Sequence, residues 1–130
     1  MCEGAYCVLV FEGEMYGADY DGAHNLIGGR VDQGETPAQA LLRELAEEAK
    51  LGVGDLLMIR DTGERIAFSS ERCPHPSKQE IHYFYVVVSG KKPESGDINV
   101  SKVSKSELLD SMRYANQKEA VRRILERETF

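Results

Sequence analysis

The run Arg43-Glu44-Leu45-Ala46-Glu47-Glu48 crowds three carboxylates into little more than one helical turn. At a helical spacing of roughly 100° per residue, Glu44, Glu47 and Glu48 share a face, and Leu41 and Leu45 are centred on a different one. Glu44 and Glu48 form an i,i+4 like-charge pair, which costs a few tenths of a kcal/mol. Glu47 and Glu48 also lie toward the C-terminal end of the helix, where the backbone dipole disfavours carboxylates. Arg43 offsets part of this through its i,i+4 relation to Glu47. Two readings fit the spacing. One is a solvated acidic face screened by water. The other is a cluster of hard oxygen donors for Mg²⁺ or Mn²⁺, ions that retain several waters and complete their shell with substrate phosphates.

The residues before this turn sharpen the choice. Gly28, Gly29 and Gly34 let backbone approach the cluster where a side chain would clash, and can offer amides or carbonyls to it. Glu35 stands just before the helix, within reach of its first turn or of Arg43. The helix start is well marked: Thr36 suits the N-cap, Pro37 the first helical position, and Gln39 completes a Thr-x-x-Gln capping box. From there AQALLRELAEEAKL contains almost only good helix formers, with Ala38, Leu41, Leu42, Leu45 and Ala49 on the core side.

The elements that must position this helix are strands. AYCVLVF (residues 5–11) and IHYFYVVV (residues 81–88) are apolar at nearly every position, as expected of strands covered on both faces. MYGADY reads as a partner strand, and NLI and RVD as short extended pieces in a Gly-rich, mostly irregular segment. DLLMIRD and ERIAFSS read as two strands separated by a Thr-Gly turn, and INVSKVS as a final strand. Ser104 with Glu107, and Asn116 with Glu119, mark two further helix starts. A mixed sheet between helices is the natural assembly.

Taken together, Gly29, RVDQG, Glu35, TPAQALL, Arg43-Glu44, Leu45, Ala46, Glu47-Glu48, Ala49, Lys50 and Leu51 resemble the Nudix box at every defining position except the last glycine, which is Lys50. The resemblance implies an α/β fold, the Nudix-like α/β/α sandwich with a mixed β-sheet. It implies one domain over residues 1–130 with the box at 29–51. It also implies divalent-metal-dependent hydrolysis of a phosphoanhydride in a nucleoside diphosphate linked to another moiety, such as a nucleoside triphosphate or related nucleotide. By the same carry-over Glu44, Glu47 and Glu48 are metal ligands, with a box carbonyl at Gly28 or Gly29 joining them. Arg43 and Glu35 support catalysis, and Mg²⁺ is the cofactor, with Mn²⁺ able to substitute. Glu44 or Glu47 is the expected proton acceptor. Some relatives recruit a base from a loop outside the box, which here makes Glu94 and Asp97 candidates. At Lys50 the expectation is a shifted helix end, with Gly52 taking the turn. The competing reading is a catalytically silent Nudix-fold module that binds a nucleotide or a protein, although such modules usually lose box glutamates. An isoprenyl-diphosphate isomerase fits poorly, for want of a suitably placed Cys and Glu pair.

Composition sets the remaining bounds. The chain has 130 residues, with 16 Lys and Arg against 22 Asp and Glu, a net charge of -6. That argues against duplex nucleic acid and anionic membranes as partners, and leaves a nucleotide-type small molecule as substrate if metal mediates the contact. Three cysteines do not make a secreted disulfide framework, and no apolar run approaches a membrane span, so a cytoplasmic monomer or homodimer is expected. Cys73 and His75 are too few for a structural zinc site. His24, just upstream of the box, is a candidate contact to phosphate or base, and Phe84 and Tyr20 are candidates to stack a base. Asp19 and Asp21, with no Arg in MYGADYDGAH, argue against an 8-oxo-dGTP role.

Overall fold

β1 (Cys2–Phe11) is the strand on which everything else is hung. A computed structural model describes residues 2–67 and 79–128 of the chain. Along β1, Ala5, Cys7 and Leu9 turn to one buried cluster and Val8 and Val10 to the other, so both faces are covered. One edge of β1 pairs in parallel with β6 (Gln79–Val88) over the full length of both strands. The other edge is shared. Its N-terminal half pairs antiparallel with β4 (Ile27–Arg30), and its C-terminal end with β2 (Glu14–Tyr20). β3 (Ala23–Asn25) and β7 (Val100–Lys102) pair with β2, while β5 (Leu56–Ala67) closes the far side against β6. Among the described residues the result is a mixed sheet of seven strands.

Helix α1 (Pro37–Ala49) covers one face, burying Ala40, Leu41, Leu45 and Ala49 against Ala5, Cys7, Leu9 and Val86. On the opposite face α2 (Lys105–Ser111) and α3 (Ala115–Arg127) bury Leu108, Ala120, Val121, Ile124 and Leu125 against Val8, Val10, Tyr83 and Tyr85. This is the α/β/α sandwich with a mixed sheet that the sequence resemblance implied.

The capping boxes at Thr36–Gln39 and Ser104–Glu107 both form as read from the sequence. Three local expectations are corrected. The stretch around Thr62-Gly63 is not a turn between two strands. β5 runs on through it, and its register against β6 shifts between Asp61 and Arg65. Gly63 takes φ +84, Asp61 accepts its amide, and the Thr62 hydroxyl donates to the Tyr83 carbonyl, so the irregularity is hydrogen-bonded into the sheet. Asn116 does not cap α3. The N-cap is Tyr114, two residues earlier, and Asn116 Nδ2 instead donates to the Ala67 carbonyl at the end of β5. Finally, α1 does not run past Lys50: Lys50 itself takes the left-handed conformation, φ 56 and ψ 37, and Gly52 is extended at φ -90.

A non-glycine residue held left-handed costs about 1 kcal/mol relative to glycine. Lys50→Gly is therefore expected to raise the thermal midpoint by about 2–4 °C, measured by calorimetry. A second expectation concerns Glu64, which ties β5 to α3 by accepting from Arg123 at 2.9 Å and Arg127 at 3.0 Å. These partners, Arg123 foremost, hold its carboxyl below the ordinary 4.5. A carboxyl depressed on folding stabilises the fold above its unfolded value, and that contribution is lost as pH falls through the folded one. Because the arginines are solvent-screened, it amounts to roughly 1 kcal/mol. Glu64→Gln should lower the midpoint by about 3 °C at neutral pH. The gap from the parent should close well below pH 4.5, as both are followed by circular dichroism.

Candidate active site

The acidic turn sits where α1 passes over β4. Their approach is close because β4 is glycine where they meet. A methyl group on Gly29 would stand 2.6 Å from Glu44 Oε1 and 2.7 Å from its Cδ, so the carboxylate lies directly on the bare Cα. Gly28, at φ +151, presses on β1, and a Cβ there would come within 2.1 Å of the Ala5 carbonyl oxygen. Its amide donates to Glu48 Oε1 at 3.1 Å. β4 thus meets Glu44 and Glu48 with backbone alone.

Arg43 is the hub of the turn. Its Nε and Nη2 donate to the two oxygens of Glu35 at 2.9 and 3.0 Å, a bidentate fork. Nη1 donates to Glu44 Oε1 at 2.9 Å, and Nη2 also reaches the Arg30 carbonyl at 3.0 Å. Asp32 at 3.4 Å and Glu47 at 3.7 Å complete the ring of partners. Glu35 Oε1 also accepts the Asp32 amide at 2.9 Å, which folds the loop back on the first turn of the helix. Hydrogen bonds from Arg43 hold the Glu35 carboxyl below its ordinary range.

The carboxylates of the acidic turn behave differently. Burial, above all, raises Glu44, even with Arg43 opposing. Glu48 is pushed up to about 7, by burial first and then, despite the Gly28 amide, by the charges of Glu44, Glu47 and Asp97. Two tyrosine hydroxyls stand near the same charge. Tyr6 and Tyr20 are both raised by burial, then by Glu48, with Glu44 a further contributor.

Whether this donor set suits a divalent cation is a question of chemistry and of aim. The chemistry fits: the donors are oxygen only, negative and mutually repelling, and a hard cation relieves that repulsion. The aim is incomplete. Among the described residues, no three His, Cys, Asp or Glu side chains are arranged to hold a metal ion. The partners account for this, since Glu44 is turned to Arg43 and Glu48 to the Gly28 amide.

The loop after β6 reaches the same place. The amides of Glu94, Gly96 and Asp97 donate to the carbonyls of Ala49, Glu48 and Glu47 at 3.1, 2.9 and 2.9 Å. Of the two loop candidates, Asp97 contributes charge at Glu48, and Glu94 is exposed. On the side facing α2 and α3, a cavity of about 340 Å³ is lined by Tyr20, His24, Asn25, Arg113, Tyr114 and Gln117, among others. His24 Nε2 lies 4.0 Å from Glu107, and among the described residues its buried Nδ1 has no hydrogen-bond partner.

A family model described as the NUDIX domain matches residues 2–128. The chain belongs to the NUDIX family. This Nudix chain is 38% identical over 73 residues to the 8-oxo-dGTP diphosphatase of Haemophilus influenzae, a match covering 56% of the chain and 47% of that protein. It therefore spans about half the length of the curated relative it matches. Among solved structures, the dihydroneopterin triphosphate pyrophosphohydrolase of E. coli superposes with a TM-score of 0.77 at 13% identity, covering 97% of this chain and 96% of that one. The Ap4A hydrolase of C. elegans gives 0.74 at 20% identity, with 97% and 96% covered. At those identities the likeness shows the fold.

Within this Nudix fold, Arg43 is hydrogen-bonded to Glu35 and Glu44 and lies 3.7 Å from Glu47, Glu44 rests on Gly29, and Glu48 accepts the Gly28 amide. Tyr20 is 53% exposed at the cavity, whereas Phe84, at 5%, belongs to the core beneath α1 and is closed to a base. Cys73 and His75 lie outside the described residues. No helix among the described residues is long and apolar enough to cross a membrane. Asp32 was missed. Its signal was its place three residues before Glu35, the spacing of a turn that brings both acids to one arginine.

The two β4 glycines should separate on substitution. Gly29→Ala displaces only the end of the Glu44 side chain, so the thermal midpoint should stay within about 3 °C of the parent. Gly28→Ala meets backbone in a glycine-favoured conformation and should lose more than about 3 kcal/mol, read by urea denaturation.

Proposed function

We propose that this chain is a divalent-metal-dependent hydrolase of a phosphoanhydride bond in a nucleoside diphosphate linked to another group, such as a nucleoside triphosphate or related nucleotide. The observation that carries the reading is the seating of Glu44 and Glu48 against the glycine backbone of β4, with Glu47 beside Arg43 and Arg43 tying the turn to Glu35. Family membership supports the reaction class. The names of the relatives support the substrate class, since each describes hydrolysis of a polyphosphate-bearing compound.

Glu44, Glu47 and Glu48 would hold Mg²⁺ or Mn²⁺, with the Gly29 carbonyl as a further oxygen donor. When bound, the ion supplies charge neutralisation at the phosphate oxygens and activation of water. Water adds to one phosphorus as the bridging P–O bond breaks, and its proton passes to Glu47 or Glu44. Glu47, with its side chain 47% exposed and 3.7 Å from Arg43, is the freer of the two. Arg43 keeps Glu44 and Glu35 in place. Asp97 adds negative charge beside Glu48, and Glu94 stands further out on the same loop. Tyr20 lines the cavity with His24 and Tyr114 and feels the charge of Glu48 and Glu44, so the base would lie in that cavity with the phosphates toward the acidic turn.

The test is a panel of nucleoside triphosphates including 8-oxo-dGTP, nucleotide sugars, ADP-ribose and dinucleoside polyphosphates, assayed with Mg²⁺ by coupled phosphate release. Turnover of at least one class is expected, and Glu48→Gln should reduce kcat by more than about 100-fold, because a ligand matters more than its supporting shell. Near-normal activity in Glu48→Gln would overturn the site. No turnover across the panel, together with tight nucleotide binding, would establish the silent-module reading instead.

A further inference from the structure

The segment after β6 does more to α1 than close a loop. A helix ends with carbonyls that have no partner within it, carrying roughly half a negative charge. In α1 this negative end falls on the turn that bears Glu47 and Glu48, so side chains and backbone repel alike. The carbonyls of Glu47, Glu48 and Ala49 receive the amides of Asp97, Gly96 and Glu94, and Lys91 Nζ donates to the Lys50 carbonyl at 2.7 Å. The four donors come from one loop.

That loop is anchored away from the helix as well. Asn99 accepts the Asp19 amide at 2.8 Å, β7 pairs with β2, and Ser95 Oγ accepts the Val100 amide at 2.9 Å. The contact at the helix end allows no side chain. A Cβ on Gly96 would stand 2.2 Å from the Glu47 carbonyl oxygen and 3.1 Å from the carbonyl carbons of Glu47 and Glu48. Gly96 is not among the residues of positive φ, so it is the closeness of approach that requires glycine there.

We propose that the main chain of residues 94–97 is a clasp that fixes the aim of Glu47 and Glu48, with Gly96 the positioning residue that lets it close. The clasp works in two ways. Its amides offset the negative helix end beside the carboxylates, and its anchorage to β2 stops the last turn from fraying toward solvent. Both effects bear on cation binding. The inference rests on the proposed metal-dependent reading, and it concerns a residue that touches neither metal nor substrate.

The test measures Mn²⁺ binding by electron paramagnetic resonance on the full chain, together with kcat and KM. Gly96→Ala should remain folded by circular dichroism, bind Mn²⁺ at least about tenfold more weakly, and lose kcat with KM for nucleotide little changed. Ser95→Ala, which frees the loop from its Val100 anchor without adding bulk at the helix, should shift Mn²⁺ binding in the same direction by a smaller factor. If Gly96→Ala does not fold, Ser95→Ala alone decides. Parent-like Mn²⁺ binding in a folded Gly96→Ala, or in Ser95→Ala where that is the deciding variant, overturns the clasp while leaving the hydrolase reading intact. If the parent chain itself neither binds Mn²⁺ nor turns over substrate, the hydrolase reading fails, and the clasp with it.

Discussion

Like charge confined to the end of one helix is the constraint around which this molecule is organised. Three glutamates, a helix dipole of the same sign and a nearby aspartate all act on one turn. Left alone, such a turn would unwind or swing its side chains into water. The structure answers with donors of three kinds. The Arg43 guanidinium takes Glu35 and Glu44, the Gly28 amide takes Glu48, and the amides of residues 94, 96 and 97 take the backbone carbonyls. These donors hold the carboxylates without cancelling them. Glu48 is still raised to about 7, by burial first and then by the charges of Glu44, Glu47 and Asp97.

Holding the turn still requires a scaffold that cannot give way. β1 supplies it by dividing one edge between two partners, β4 for its N-terminal half and β2 for its C-terminal end. The glycine backbone that meets Glu44 and Glu48 is thereby part of the sheet and not a free loop. The helix is pinned from below by Leu41 and Leu45, both wholly buried, and from its end by the loop that returns to β2. On the proposed reading, the preorganisation a catalytic group needs comes from this packing, since carboxylates on a mobile loop would pay the ordering entropy at each turnover.

The parts of this arrangement visible in the sequence are those written in side chains over short spans. Thr36 and Gln39 meet across one helical turn, and the leucines of α1 repeat at its period, so the helix was legible. The doubly apolar runs of β1 and β6 were legible because burial on both faces removes alternation. What was not legible involves the backbone or distant partners. Thr62-Gly63 has turn chemistry, but the ladder to β6 carries the strand through it as an irregularity. Lys50 gave no sign of a left-handed conformation, because the requirement comes from where the chain must go next. Asn116 looked like a cap, but the end of β5 offered a carbonyl to its amide. The donors on residues 94–97 are main-chain amides, which every residue but proline has, so no pattern of side chains announces them.

Glycine shows the same limit from another side. Gly28, Gly29 and Gly96 surround the acidic turn, and each is required by what would strike a Cβ. Gly63 is required by its dihedral, with nothing near it. One letter serves both purposes, and only contacts tell them apart. The contacts also divide the molecule functionally. Gly28, Gly29 and Gly96 belong to the phosphate end of the proposed site, whereas Gly17 admits the Asn25 carbonyl of β3 to β2. The cavity beyond Tyr20 is instead built from β2, β3 and the connection between α2 and α3, with side chains such as His24, Arg113 and Tyr114. Of these elements β2 also anchors the clasp, so the variation that leaves the turn undisturbed is confined to β3 and the connection between α2 and α3. On the proposed reading, the chemistry is therefore set by backbone contacts around α1, and the choice of substrate by side chains lining the cavity.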